Sequence, residues 1–329
     1  MSNQYLDDLI GTQVGDYTIQ ELVGEGTFSI VFRAVDRLGK SVKAIKIPRS
    51  VTQDTERLEE SVPTQVFIKR QDRYAPQEAS PVHIQKIQVA RTRSVNDRGL
   101  VSVEDYSFDD SGKSYVSMPL ISGTTFRKYL KSGPVPLTVF LDIANTLDRL
   151  SQIDDFGYHG DVKPDNMIVA DDGVMLVDCG YFGSIEPESD PQNESKTLIV
   201  TTPRYYPHLI ADDMLAFGLV LWEAACRKQL LRKVSYSKDH ELKKVSEDLL
   251  SQVYEEEALG NFHFSQIVKA KKPSALRPGI PASIEEFLLK SVRLKFTKDD
   301  VLDVDEGFET FEELARELKA LIDSGIHYV

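Results

Sequence analysis

Asp161 and Asn166 stand five residues apart in the string YHGDVKPDN, residues 158–166, with Lys163 and Pro164 between them. A carboxylate in that place can accept or orient the proton of an attacking hydroxyl. The lysine can neutralise charge on a phosphoryl group in transfer, and the asparagine amide oxygen can ligate Mg²⁺. Pro164 restrains the turn that brings the three together. A second hard oxygen suited to Mg²⁺, Asp178, arrives at the end of the apolar run VMLVD, just before Cys179 and Gly180.

Two earlier features belong to the same chemistry. Gly24 and Gly26 lie between two strand-like runs, YTIQELVGE and SIVFRAVD. Glycine there lets backbone N–H groups approach phosphate oxygens with no side chain in the way. The dinucleotide-binding alternative needs a helix after the glycines, and SIVFRAVD is strand-like. Taken alone, a G-x-G turn between strands is more often only a turn. Lys46, on the apolar strand VKAIK, is by itself either an ordinary solvent-facing lysine or a cation for the α- and β-phosphates. The order of glycine turn, strand lysine, acid loop and strand-end aspartate favours the second.

The elements that must carry these groups follow from the pattern. The first third reads as strands, with SVKAIKIP the third of them. From Arg49 to Val82 the texture turns charged and polar, and we expect an exposed insertion with some helix. Val82, Ile84, Ile87, Val89 and Ala90 predict a helix. Residues 100–121 predict a hairpin turning at Asp109-Asp110-Ser111-Gly112. Val139, Leu141, Ile143, Ala144, Leu147 and Leu150 predict the buried face of a helix. Two short strands surround the turn at Ala170–Gly173, and helices resume from about Asp213. Ser283 with Glu286 and Thr310 with Glu313 have the spacing of capping boxes. The expectation is an α+β chain of two lobes: an N-terminal extension 1–15, a small β-rich lobe 16–118 with its insertion at about 49–82, a hinge 119–123, and a larger helical lobe 124–329.

From about Asp16 to the final helix the chain resembles the eukaryotic-like Ser/Thr protein kinases common in bacteria. Gly24-x-Gly26-x-x-Ser29-x-Val31 is similar to their glycine-rich loop, and Val42 to Lys46 to their V-A-I-K strand. His159 to Asn166 resembles H-R-D-L-K-P-x-N, Asp178-Cys179-Gly180 resembles D-F-G, and Thr202-Pro203-x-Tyr205 resembles the segment that receives the substrate chain. The run from Asp213 resembles the buried helix whose aspartate braces the catalytic loop. The resemblance implies ATP and Mg²⁺ as cofactors. Lys46 would hold the α/β-phosphates, Asp161 would be the catalytic base, and Lys163 would contact the γ-phosphate. Asn166 and Asp178 would bind Mg²⁺, and Gly24 and Gly26 would cover the nucleotide. Val31, Ala44 and Ile168 would sandwich adenine, with Met118 as gatekeeper and Pro119, Leu120 and Ile121 as hinge. Lys163 and Thr202 imply Ser/Thr rather than Tyr as acceptor.

Four positions depart from the family pattern. The glutamate that should pair with Lys46 falls near Gln85 or Gln88, neither acidic, while Glu59, Glu60 and Glu78 lie in the insertion. Gly160 replaces the arginine that binds a phosphorylated activation loop, so Ser184, Ser189, Ser195, Thr197 and Thr201 lose a guanidinium partner for a phosphate. Cys179 replaces the D-F-G phenylalanine and reads as a small core hydrophobe rather than a redox switch. His208 stands where an acidic residue of the substrate platform would fall.

The bulk composition bounds the function. The 329 residues carry 39 Lys+Arg against 52 Asp+Glu, a net charge of −13 that argues against nucleic acid as partner. The six histidines show no metal spacing, and His159 reads as a loop brace. The basic runs RKQLLRK and KAKKPSALR and the helical face of Leu242, Val245, Leu249 and Val253 read as solvated or packed surfaces. Two cysteines and no long apolar segment imply a cytoplasmic protein without a membrane partner. Three readings then compete: an active Ser/Thr kinase acting on protein substrates, with room for a regulatory protein partner; a pseudokinase serving as a regulatory scaffold; and a small-molecule phosphotransferase, since HGD also resembles aminoglycoside- and choline-kinase loops. KPDN and TTPRYYP favour the first, and retention of every polar group that handles phosphate and metal decides for it.

Overall fold

A computed structural model of the chain describes residues 4–49, 64–70, 73–76, 80–93, 95–185, 196–202, 204–206, 211–231, 271–297 and 302–329. Glu59, Glu60, Glu78, Ser189, Ser195, Pro203, His208 and the face of Leu242, Val245, Leu249 and Val253 lie outside the described residues.

The front of the chain is a six-stranded antiparallel sheet in the order β1-β2-β3-β4-β8-β7. Its central members are β2 (Tyr17–Glu25), β3 (Ser29–Asp36), β4 (Val42–Pro48) and β8 (Ser114–Pro119). Alternation explains β3: Ile30, Phe32 and Ala34 are buried on one face, while Val31 and Arg33 between them are only partly covered. Helix α1 (Gln4–Leu9) and β1 (Gln13–Val14) dock on this sheet, sending Leu6 and Val14 into the core of Ile19, Phe32, Ile45 and Ile47. The expected hairpin is β7 (Asp105–Phe108) with β8, closed by Asp109, whose Oδ1 accepts from the Ser111 and Lys113 amides.

Helix α2 (Pro81–Thr92) lies against β4 and β8, with Pro81 at its first turn, where a missing N–H costs nothing. Its weak apolar pattern has a physical cause. The inward face carries Gln85 and Thr92 beside Ile84 and Val89, and the polar groups have partners: Gln85 donates to Lys46 O and accepts from Ser114 Oγ.

The described part of the insertion carries strands that the sequence did not suggest: β5 (Gln65–Arg70) and β6 (Arg73–Pro76) join β12 (Tyr181–Ile185) and β13 (Lys196–Thr201) in an antiparallel sheet ordered β12-β13-β5-β6. Val66 is buried against Ile84, Leu198 and Val200, so an apolar contact far apart in sequence decides the strand.

The rear is helical around α5 (Asp213–Cys226), which is apolar on nearly every side and correspondingly buried. Around it lie α3 (Phe126–Ser132), α4 (Leu137–Ser151), α6 (Pro273–Leu276), α7 (Ala282–Ser291) and α8 (Phe311–Asp323). Ile143, Ala144, Leu147 and Leu150 of α4 are buried as expected, but Val139 and Leu141 are only partly so, and Phe140 takes the inner position. Short strands β9 (Gly123–Thr125), β10 (Met167–Ala170) and β11 (Gly173–Leu176) form a small sheet at the boundary with the front. One of the two expected caps forms and one does not. Thr310 Oγ1 accepts from Glu313 N at 3.1 Å. Ser283 is already inside α7, whose cap is Pro281, so it cannot cap that helix. The tail is not uniformly helical, since β14 (Leu294–Phe296) and β15 (Leu302–Val304) pair within it.

Candidate active site

The acid loop is held from behind by α5. Asp213 accepts from the His159 amide at 2.5 Å, the Gly160 amide at 2.9 Å and the Tyr206 hydroxyl at 2.6 Å. The same tyrosine oxygen accepts from Val162 N at 2.8 Å, so one carboxylate and one phenol together hold the amides of His159, Gly160 and Val162. His159 is wholly buried. Burial holds its ring below the ordinary 6.5, against the opposing pull of Asp213 and Asp161. Its Nδ1 accepts from Asp161 N, which leaves Nε2 to donate to Val177 O at 3.1 Å.

Within that frame the catalytic candidates converge. Lys163 Nζ is 3.1 Å from Asp161 Oδ2 and donates to Thr202 Oγ1 at 2.8 Å. Asn166 Nδ2 donates to Asp161 O, Asp161 Oδ2 and Asp178 O at 2.9, 2.8 and 3.1 Å. Asp178 has a left-handed backbone (φ 56°), a strained conformation for a non-glycine residue and one that concentrates at functional sites. Lys46 Nζ is 2.5 Å from its Oδ1. Burial alone would raise the Asp178 carboxyl, but the Lys46 ammonium outweighs it by charge and hydrogen bond, and the group ends below its ordinary value. The hydroxyl of Thr64, just before β5, donates to Asp161 Oδ2 at 2.9 Å and accepts from Lys163 Nζ at 2.7 Å.

The nucleotide-site candidates lie on the sheet above. Val31 is directly opposite Lys46 across β3 and β4, and Ala44 is opposite Met118 across β4 and β8, so these four share one face. Met118 lines a cavity of about 30 Å³ with Lys46, Gln88, Val101, Asp178 and Cys179. Pro119 closes β8, and Leu120 and Ile121 lead to β9, which pairs through Thr125 with Ile168 of β10. At the glycine turn, Arg49 donates to Gly26 O at 2.8 Å and to Glu25 Oε2 at 2.6 Å. A Cβ added at Gly24 would meet nothing within 4 Å, and at Gly26 only ordinary contacts. The protein's own packing therefore does not require glycine at either position.

The glutamate question has a geometric answer. Gln88 Oε1 accepts from Lys46 Nζ at 2.9 Å, and Gln88 Nε2 donates to Cys179 O at 3.1 Å. Gly160 has φ 82°, a conformation that an arginine would adopt only with strain. Thr201, one of the expected phosphosites, is wholly buried and donates to Gly160 O at 2.7 Å. Cys179 is buried, and burial pushes its thiol up to about 12, as a core residue rather than a reactive one.

Sequence reasoning missed Thr64, and it missed two arginines as well. Arg91, on α2, donates to Phe156 O, Tyr158 O and His159 O at 3.2, 2.5 and 3.3 Å, and also to Gly180 O. Its guanidinium also lies over the rings of Phe156 and Tyr158. Arg127, on α3, joins Asp165 of the loop to Glu223 of α5 and to the Tyr205 hydroxyl. Neither contact has a local sequence signature, because each reaches carbonyls or carboxylates far along the chain.

The fold is that of a protein kinase. The kinase domain of Mycobacterium tuberculosis PknI has a similar solved structure, with TM-score 0.53 over 95% of this chain and 98% of that one, at 14% identity. By sequence the chain is a homologue of mycobacterial Ser/Thr protein kinases. PknE of M. tuberculosis is 26% identical over 293 residues, covering 86% of this chain and 43% of PknE. PknH of the same organism is 24% identical over 297 residues, covering 88% of this chain and 40% of PknH. The chain thus spans about two fifths of the length of these curated relatives. No protein-family model matches it. No described helix is long and apolar enough to cross a membrane.

Proposed function

We propose that this chain transfers the γ-phosphoryl group of ATP, with Mg²⁺, to serine or threonine hydroxyls of protein substrates. The observation that carries this reading is the convergence on Asp161 Oδ2 of Lys163 Nζ, Asn166 Nδ2 and a threonine hydroxyl. Asp161 accepts the proton of the attacking hydroxyl, within the 2.6–3.2 Å reach a base needs. Lys163 places positive charge beside the oxygen that attacks. Lys46 grips the α/β-phosphates, and the uncrowded backbone at Gly24 and Gly26 lets amides close over them. Val31, Ala44 and Ile168 flank the adenine, Met118 stands as gatekeeper, and Pro119, Leu120 and Ile121 form the hinge.

The donor set suits Mg²⁺. Asp178 offers a carboxylate, and Asn166 makes its hydrogen bonds through Nδ2, which leaves the amide oxygen as a ligand. The metal's contribution when bound is to offset charge on the phosphates. Asp161 Oδ1, buried without a hydrogen-bond partner, is a further unmet acceptor at the same place.

Control by activation-loop phosphorylation does not belong to this reading. Gly160 offers no guanidinium, Arg91 is engaged with backbone carbonyls, and the Thr201 hydroxyl is committed to Gly160 O. A regulatory protein partner and a cytoplasmic site of action belong to it; the free, buried Cys179 and Cys226 suit a reducing compartment. One observation favours a second reading, a nucleotide-binding regulatory scaffold: neutral Gln88 faces Lys46. The exchange weakens the positioning of Lys46 but removes no group that handles phosphate or metal.

Phosphoamino-acid analysis of a generic protein acceptor after incubation with labelled ATP and Mg²⁺ tests the proposal. Phosphoserine or phosphothreonine is expected. ATP binding without transfer means the scaffold, and transfer only to a sugar or alcohol means a small-molecule phosphotransferase.

A further inference from the structure

The groups that serve an acceptor are already occupied by a residue of the same chain. Thr64 Oγ1 donates to Asp161 Oδ2 at 2.9 Å and accepts from Lys163 Nζ at 2.7 Å, with Thr202 Oγ1 at 3.4 Å. These are the hydrogen bonds a phosphate-accepting hydroxyl requires: one to the base, one to the cation that offsets charge on the attacking oxygen.

The placement is built by the backbone. Thr64 immediately precedes β5, which pairs with β13 in an antiparallel register running from Gln65 opposite Thr201 to Lys69 opposite Thr197. Extended peptides commonly bind by adding a strand to an exposed sheet edge, with main-chain bonds for affinity and alternate side chains for register. Val66, 4% exposed against Ile84, Leu198 and Val200, is such an anchor. A one-residue slip would turn Val66 out of that cluster and carry Thr64 away from Asp161. Register and anchor therefore aim one particular hydroxyl at the base.

We propose that Thr64 is an intramolecular phosphorylation site of this chain, with the insertion as its own first substrate. This rests on the phosphotransfer reading above. Thr64 Oγ1 attacks the γ-phosphorus of ATP, and a new O–P bond forms. The bond from that phosphorus to the bridging oxygen of ADP breaks, and the hydroxyl proton passes to Asp161. The products are phosphothreonine 64 and ADP. A phosphate brings about −1.5 to −2 charges, which the adjacent Asp161 carboxylate repels. Transfer therefore also drives Thr64 out of the acceptor position and opens it to other proteins.

The test incubates the full chain with ATP, Mg²⁺ and a generic protein acceptor in one tube and maps phosphate on both by mass spectrometry. Phosphate at Thr64 is expected, with a first-order rate constant unchanged over a roughly tenfold range of protein concentration, as an intramolecular step demands. Thr64→Ser should move the label to phosphoserine at the same position, and Thr64→Val should remove it. A labelled acceptor with unmodified Thr64 overturns the inference and leaves the kinase reading intact. A rate constant that rises in proportion to protein concentration overturns its intramolecular character. Label on neither protein overturns the phosphotransfer reading and this inference with it.

Discussion

Gln88 Oε1 accepts a hydrogen bond from Lys46 Nζ at 2.9 Å, so a neutral amide stands where the kinase resemblance calls for a carboxylate. The amide does something a carboxylate cannot: its Nε2 donates to Cys179 O and ties α2 to the residue after Asp178. Gln88 therefore trades charge at Lys46 for a second bond across the site.

That trade predicts an order of effects. Gln88→Ala loses both bonds, and kcat/KM for ATP should fall by at least about tenfold, as expected for a hydrogen bond to a charged group. Gln88→Glu keeps the contact to Lys46 and loses only the donor to Cys179 O, so it should fall less. Steady-state kinetics on the two variants check the order.

Arg91 should matter to stability as well as to activity. Its removal leaves the carbonyls of Phe156, Tyr158, His159 and Gly180 without their shared donor. Arg91→Ala should cost about 2–4 kcal/mol in urea unfolding. Arg91→Lys should recover little of it, because a point ammonium lacks the planar fork that reaches several acceptors.

His159 sets a pH dependence of known sign. Burial lowers the folded ring below its ordinary 6.5, so the unfolded chain binds a proton first as pH falls. Stability should therefore decline below pH 6.5, by at most about 1.4 kcal/mol per pH unit, until the folded ring itself titrates. Urea midpoints at about pH 7.5 and about pH 5.5 measure the slope, which should flatten in His159→Gln.

The thiols should be silent in the native state. Burial pushes Cys179 and Cys226 each up to about 12, and neither is exposed. Iodoacetamide at neutral pH should modify neither in the folded protein and both in denaturant, as read by intact mass.

Much of the site was legible because its chemistry is written in short, local spacings. Asp161, Lys163 and Asn166 belong to one loop, and Lys46 and Asp178 each end or punctuate an apolar strand. The rest depends on pairings that no local pattern encodes. Strand β5 looked like a polar insertion because the partners of Val66, Leu198 and Val200, are distant in sequence, and its ladder is made with β13 more than a hundred residues later. Arg91 was invisible because its partners are backbone carbonyls, which every residue possesses. Ser283 had the spacing of a cap, but Pro281 caps α7 and Ser283 already lies within its first turn.

The central claim is that Asp161 acts as the base for phosphoryl transfer to a hydroxyl, and Asp161→Asn tests it most directly. The variant keeps the size of the side chain while removing its basicity. ATP affinity, measured by titration, should stay within about threefold, while transfer to a protein acceptor should fall by about 10²–10⁴-fold, the usual contribution of a positioned base. Transfer at an undiminished rate in a folded Asp161→Asn protein would contradict the account.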